Sequence, residues 1–132
     1  MSLPIRNARY LQGQRLGRLA TVTAAGDPHV VPVGFRYNPD LDIIDIGGHD
    51  IAHTAKWRQA GRHPRVAFVV DDVLPPWQPR SVVVHADAEL LPTGGESIGP
   101  GFAPEVMRFR PLEILSWGLE GEAFQHSSRK VG

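Results

Sequence analysis

DIIDIGGHDIAHTAKWRQAGRHPRVAFVVDD, residues 42–72, is the stretch on which the fold turns. Ile43-Ile44-Asp45-Ile46 is β-branched and reads as a buried strand. Gly47-Gly48 ends that strand and lets a neighbour approach the backbone with no Cβ in the way. Ile51 to Arg62 reads as a short helix carrying Lys56 and Arg58, with Gly61 near its end. Arg65 to Val70 returns as a second strand, which Asp71-Asp72 closes. Strand, Gly-Gly, basic helix, strand can hold an anion, because glycine exposes backbone N–H groups and Lys56 adds a point charge. A plain turn and a solvated lysine give the same pattern.

On the N-terminal side, Pro4 to Gln14 reads as one or two helical turns, with Ile5, Ala8 and Leu11 at helical spacing. Leu19 to Ala24 and His29 to Tyr37 flank the turn residues Gly26-Asp27-Pro28, so Leu19 to Tyr37 reads as a hairpin. Pro32 cannot donate a ladder hydrogen bond and belongs at an edge or a bulge. On the C-terminal side, Leu74 to Pro79 is a Pro-rich loop presenting Trp77. Ser81 to Leu91 is a strand, and Pro92 to Pro104 a Gly/Pro-rich loop expected to be mobile. Glu105 to Arg110 and Pro111 to Leu119 give a last strand or strand pair. The polar tail, 121–132, is expected to fray. The sum is about six mostly antiparallel strands with two short helices, a barrel or sandwich.

The whole chain limits the function classes. Its 132 residues suit a single domain spanning 1–132. With 14 basic and 14 acidic residues, no net charge draws it to nucleic acid or an anionic membrane. No apolar run approaches the roughly 18 residues of a membrane span, and no signal peptide is visible. The absence of cysteine excludes disulfides and thiol catalysis and fits a cytoplasmic protein.

Few side chains suggest direct chemistry. His49 and His53 are spaced i, i+4, but no third metal ligand follows, and solvated or ligand-facing histidines are the plainer reading. Ser81 has no nucleophile-elbow context. Asp71 and Asp72, adjacent in a strand, point to opposite faces and make no carboxylate dyad. No dinucleotide or Walker fingerprint occurs. Of the three tryptophans, Trp57 reads as core, Trp77 as a ligand or subunit contact, and Trp117 as a cover for a barrel mouth or dimer seam.

The ordered blocks LGRLATVTAAGDPHVVPVGF, IDIGG, TAKWRQAGRHPRVAFVVDD, PWQPRSVVVHADAEL and FRPLEILSWGLEG resemble the pyridoxamine 5′-phosphate oxidase-like split-barrel family over Leu16 to Gly121. Within it, the chain is most similar to oxidoreductases that use the deazaflavin coenzyme F420. The resemblance implies a six-stranded antiparallel split β-barrel and a homodimer with cofactor sites at the subunit interface. It implies that Pro32 and Val33 face the isoalloxazine-type ring, that Gly47, Gly48 and His49 lead to the phosphate, and that Lys56 binds it with help from Arg58. Trp77, Arg80 and Trp117 are implied to come from the partner or to line the substrate side. Relatives often carry arginine or a small hydroxyl residue at the position of His49. Histidine adds charge there only when protonated, around a usual pKa of about 6.5, so weaker and pH-dependent phosphate binding is expected.

The leading expectation is hydride transfer from reduced F420 to a small organic acceptor, with no essential acid–base side chain, since the cofactor carries the chemistry. FMN at the same lysine is the alternative cofactor. A non-catalytic flavin or haem carrier is the third reading, with His49, His53 or His85 as axial ligand.

Overall fold

The computed structural model describes residues 5–119 and 126–130. Helix α1 (Ile5–Gln12) leads into strand β1 (Leu16–Val22), where Gly17, Leu19 and Thr21 are buried and their neighbours are not. This period of two is what a half-buried strand requires. Strand β2 (Pro28–Asn38) returns beside β1, from Val22↔Pro28 to Leu16↔Gly34, through a turn in which Gly26 N–H bonds to the Thr23 carbonyl. Its last residues, Phe35 to Asn38, leave β1 and pair with β3 (Ile43–Ile46). Strand β3 also pairs with β6 (Val106–Trp117), through Asp45↔Arg108 and Ile46↔Met107. With β4 (Arg65–Leu74) and β5 (Gln78–Leu91), the order β3-β2-β1-β4-β5-β6 closes on itself as a six-stranded antiparallel barrel, the split-barrel architecture expected from the sequence.

The seams of this barrel are unequal. Strands β4 (Arg65–Leu74) and β5 (Gln78–Leu91) form one long hairpin, paired from Arg65↔Asp87 to Leu74↔Gln78. Strands β1 and β4, in contrast, pair only from Arg18↔Val69 to Ala20↔Ala67. Gly17 secures that short seam. A Cβ on it would lie 2.3 Å from Cζ of Phe68, so the missing side chain is what admits the ring. Phe68 then packs edge-on to Phe35 and Phe109, with centroids 5.3 and 5.2 Å away. Valines 66, 70, 82 and 84, Ile46, Met107 and Ile114 fill the barrel around these rings. Each such side chain is worth about 1.5–3 kcal/mol when buried.

Three expectations are corrected, and one left open is resolved. The helix expected over Ile51–Arg62 is two pieces, a 3₁₀ turn (Ile51–His53) and α2 (Ala55–Arg62). Thr54 divides them: its backbone is extended, and its hydroxyl accepts from Trp57 N–H as an N-cap. Asp71-Asp72 does not end β4, because each carboxylate finds a base on its own side of the strand. Asp71 pairs with Arg18, and Asp72 receives Nη2 of Arg80 at 2.5 Å. Strand β6 is one strand, which takes in Pro111 at a register shift opposite His85 and Ala86. In the tail, residues 126–130 form strand β7 beside β6, since exposed backbone groups at a sheet edge accept another strand. Pro4, residues 120–125 and residues 131–132 lie outside the described residues.

Helix α1 is fastened to the β4–β5 hairpin by one polar knot. Tyr10 donates to Asp72 Oδ1 at 2.9 Å, and Arg80 reaches the same carboxylate from Nε at 2.9 Å, with its guanidinium 5.0 Å from the Tyr10 ring centroid. The Arg80 hydrogen bond holds the Asp72 carboxyl below its usual range, while burial and Asp72 raise the Tyr10 hydroxyl. A depressed carboxyl pKa contributes stability above its unfolded value, about 4, and loses it as pH falls through the folded value. Asp72→Asn is therefore expected to lower unfolding stability by about 2 kcal/mol at neutral pH, read by urea denaturation. The gap to wild type should narrow below about pH 4; a gap independent of pH would mean the charge is not what matters.

Candidate functional site

Thr54 fixes where α2 begins, and with it the positions of Lys56 and Arg58. Arg58 is exposed and donates to the His53 carbonyl at 3.4 Å, so its guanidinium lies back along the 3₁₀ turn. Lys56 is half-buried, and among the described residues its ammonium has neither a hydrogen bond nor an ion pair. Burial lowers its pKa, with no compensating anion. An unpartnered, partly desolvated cation is unfavourable by itself and favours an incoming anion. Trp57 packs against the core, as the sequence suggests.

Gly47 and Gly48 do receive a close neighbour, and it belongs to the chain itself. The loop after β5 folds back over the end of β3, where Ala103 N–H bonds to the Gly48 carbonyl at 2.8 Å and His49 Nδ1 lies 3.0 Å from the Gly101 carbonyl. The Phe102 ring stacks edge-on to His49, with centroids 5.1 Å apart. A Cβ on Gly47 would stand 2.9 Å from Phe102 and 3.0 Å from Ile98. The 92–104 loop, expected to be mobile, is thus anchored by a 3₁₀ turn (Gly95–Ser97) and by these contacts. Phe102 escapes a sequence reading because a phenylalanine among Gly and Pro carries no periodic signal. Between this loop and β2 lies a cavity of about 450 Å³ lined by Arg15, Gly34, Phe35, Ile98 and Phe102.

The other expected residues are dispersed. Val33 is buried in the barrel, while Pro32 is exposed on β2 opposite Arg18, in the part of β2 that pairs with β1 alone. Arg80 is engaged with Asp72. Trp77 stands 67% exposed at the tip of the β4–β5 hairpin, and Trp117 faces Ser81 on β6. The tip is a full strand length from the α2 end of β4, about 30 Å at some 3.3 Å per residue. One chain therefore does not bring Trp77 to Lys56. The histidines are also apart: His53 pairs with Asp50 at 2.6 Å, and His85 with Glu113 at 3.2 Å. Asp50 raises the His53 pKa through that hydrogen bond. The described residues contain no group of three or more His, Cys, Asp or Glu able to hold a metal ion, and no helix long and apolar enough to cross a membrane.

A second cavity, about 580 Å³, opens on the outside of the barrel where β1 and β4 part. Its floor is Ala20 and Ala67, and His85 and Glu113 stand at one end. In the sequence, His85 suggests only an axial haem ligand and Glu113 carries no signal, because their pairing depends on the β5–β6 register.

The family model described as pyridoxamine 5′-phosphate oxidase matches residues 4–110. The chain belongs to this family. A relative in Streptomyces rimosus subsp. rimosus, a 5a,11a-dehydrotetracycline/5a,11a-dehydrooxytetracycline reductase, is 46% identical over 115 residues, covering 86% of this chain and 81% of its own. Family membership and that identity make the protein an oxidoreductase. Among solved structures, a conserved hypothetical protein of Mycobacterium tuberculosis superposes with a TM-score of 0.72 at 17% identity, over 89% of this chain and 86% of that one. A putative pyridoxamine 5′-phosphate oxidase of Corynebacterium glutamicum gives 0.59 at 23% identity, over 86% and 93%. These two show the fold.

Gly47→Ala tests the anchored loop. The added methyl group displaces Phe102 and Ile98, an overpacking cost of about 1–3 kcal/mol. Hydrogen exchange at the Ala103 amide should accelerate; unchanged protection would show that the loop does not depend on this notch.

Proposed function

We propose that the protein is an F420-dependent reductase that delivers a hydride to a carbon–carbon double bond conjugated to a ketone in a fused-ring, tetracycline-like acceptor. The observation that carries the cofactor part is Lys56, a half-buried ammonium with no anionic partner among the described residues. A coenzyme phosphate supplies that partner, and a charge-assisted contact of this kind is strong in a partly desolvated site. The acceptor class rests on the 46% identity to the dehydrotetracycline reductase, whose 5a,11a-dehydro substrates carry a double bond between ring carbons 5a and 11a.

Lys56 and Arg58 hold the phosphate in this reading, and Pro32 presents its strand backbone to the ring. When bound, the coenzyme supplies the hydride; the chain orients it and keeps one face dry. Gly47, Gly48 and His49 act through the loop they anchor, beside the phosphate. The proposal includes a homodimer, because Trp77 lies a strand length from α2 and reaches a cofactor at Lys56 only from a second copy. Trp117 comes from that second copy with Trp77. FMN shares the tricyclic ring and the ribityl phosphate, and it competes for the same lysine.

Titration with F420 and, separately, with FMN tests the reading by fluorescence. F420 should bind more tightly than FMN, and the reverse order would move the protein to flavin chemistry. Lys56→Ala should lose roughly tenfold in F420 affinity, from a contact worth about 1.5–3 kcal/mol. The same variant should show no lower melting temperature without cofactor, since it removes an uncompensated cation. Affinity should fall as pH rises past the depressed Lys56 pKa, because only the ammonium attracts the phosphate. Unchanged affinity in Lys56→Ala would remove Lys56 from the site.

A further inference from the structure

The cavity at the mouth of the barrel's split has a cause in the strand register. Ladder pairing between β1 and β4 stops at Ala20↔Ala67, and beyond it the strands separate, so that Thr21 and Val66 also line the opening. The same register runs on across the outer surface, Ala67 facing His85 and His85 facing Glu113. Two alanines followed by a histidine–carboxylate pair make a trough with a low apolar floor and one polar end. Val22 and Pro28 form one bank, and Leu112, at the β6 register shift, lies beside Glu113. Arg65 also borders the trough, with its Nε 2.8 Å from Asp87 Oδ1. A cavity of about 580 Å³ is of the size that takes small ligands, and a mostly apolar lining with a few convergent polar groups is their usual setting.

His85 is set up for proton transfer. Its Nδ1 lies 3.2 Å from Glu113 Oε1, and an ionised carboxylate only accepts, so Nδ1 carries a proton and Nε2 is left for a ligand. Glu113 holds the ring in one orientation through this contact, as a positioned carboxylate does for a general acid. Glu113 is the less exposed of the two, at 24% of its side chain against 46% for His85. The carboxylate is therefore set back, and the imidazole is the accessible member.

We infer that this trough is the acceptor pocket, that it takes a flat fused-ring ligand with a keto or enol oxygen at its edge, and that His85 is the proton donor which completes the reduction. This rests on the reductase reading above. The reaction adds a hydride and a proton across the conjugated double bond. The hydride, with its electron pair, comes from the reduced deazaflavin coenzyme, which is oxidised by two electrons. It forms a C–H bond at the carbon β to the ketone, and the π electrons pass to the ketone oxygen as an enolate. The Nε2–H bond of the doubly protonated His85 ring breaks and its proton goes to that oxygen, which leaves the Nδ1–H tautomer held by Glu113, and Nε2 then regains a proton from solvent. Ketonisation of the enol then gives the reduced ketone. Glu113 is a positioning residue. The outer-facing alanines, too short to fill the trough, give the rings room over the split.

The test uses oxytetracycline as the probe, read by ¹H–¹⁵N NMR of the histidine rings, with F420 binding measured separately by fluorescence. Oxytetracycline should shift the His85 ring signals, and Ala67→Leu, which fills the floor, should abolish that shift while F420 still binds. His85→Gln, assayed with reduced F420 and 5a,11a-dehydrooxytetracycline, should lower kcat about a hundredfold with little change in KM. His85 signals that stay in place at saturating probe overturn the inference, as does probe binding by Ala67→Leu like that of wild type, or an unchanged kcat in His85→Gln. If the probe shifts His85 but F420 does not bind the wild type, the pocket is supported and the cofactor reading alone falls.

Discussion

Closure of the barrel depends on a short seam between β1 and β4. Strands β1 and β4 share ladder pairs only from Arg18↔Val69 to Ala20↔Ala67, too few hydrogen bonds to hold two halves of a barrel together alone. Gly17 and Phe68 make the difference. The ring fills the space a side chain at Gly17 would take and meets Phe35 and Phe109 edge-on. Aromatic packing of this kind adds to the burial term and ties β1, β2, β4 and β6 into one core. Because the seam is short, the strands separate beyond it, and the same feature that closes the barrel opens a cleft on its outer face.

Polar interactions then decide how the covering segments lie. The Tyr10–Asp72–Arg80 knot fastens α1 to the hairpin. Asp45, almost fully buried, is met by Arg108 at 2.8 and 3.0 Å across the β3–β6 pairing that completes the barrel. Breaking such a buried pair by removing one partner is costly because it strands the other charge. Arg80 and Asp45 are thus committed to structure. Lys56, by contrast, has no acceptor among the described residues, which leaves it available to the anion proposed above.

The glycine pair after β3 has a double use. It was legible as a place of close approach, and the neighbour that approaches is Phe102 of the chain's own loop. His49 takes part through its contact with the Gly101 carbonyl. The Gly47 notch thus fixes how the 92–104 loop lies over the end of β3.

Much was open to reading in the sequence itself. The alternation in β1, β2 and β5, the turn residues between strands, and the ordered blocks of the family fixed the barrel and marked Lys56. Local chemistry also foretold that Asp71 and Asp72 face opposite sides, since strand periodicity requires it. It did not foretell that β4 continues past them, because their partners Arg18 and Arg80 are brought alongside only by the sheet. The extended backbone of Thr54, the partner of the Gly47 notch and the alignment of Ala20, Ala67, His85 and Glu113 were likewise out of reach. Each depends on register between strands distant in the chain. Periodicity states which face a side chain takes, whereas only the folded sheet decides what it meets there.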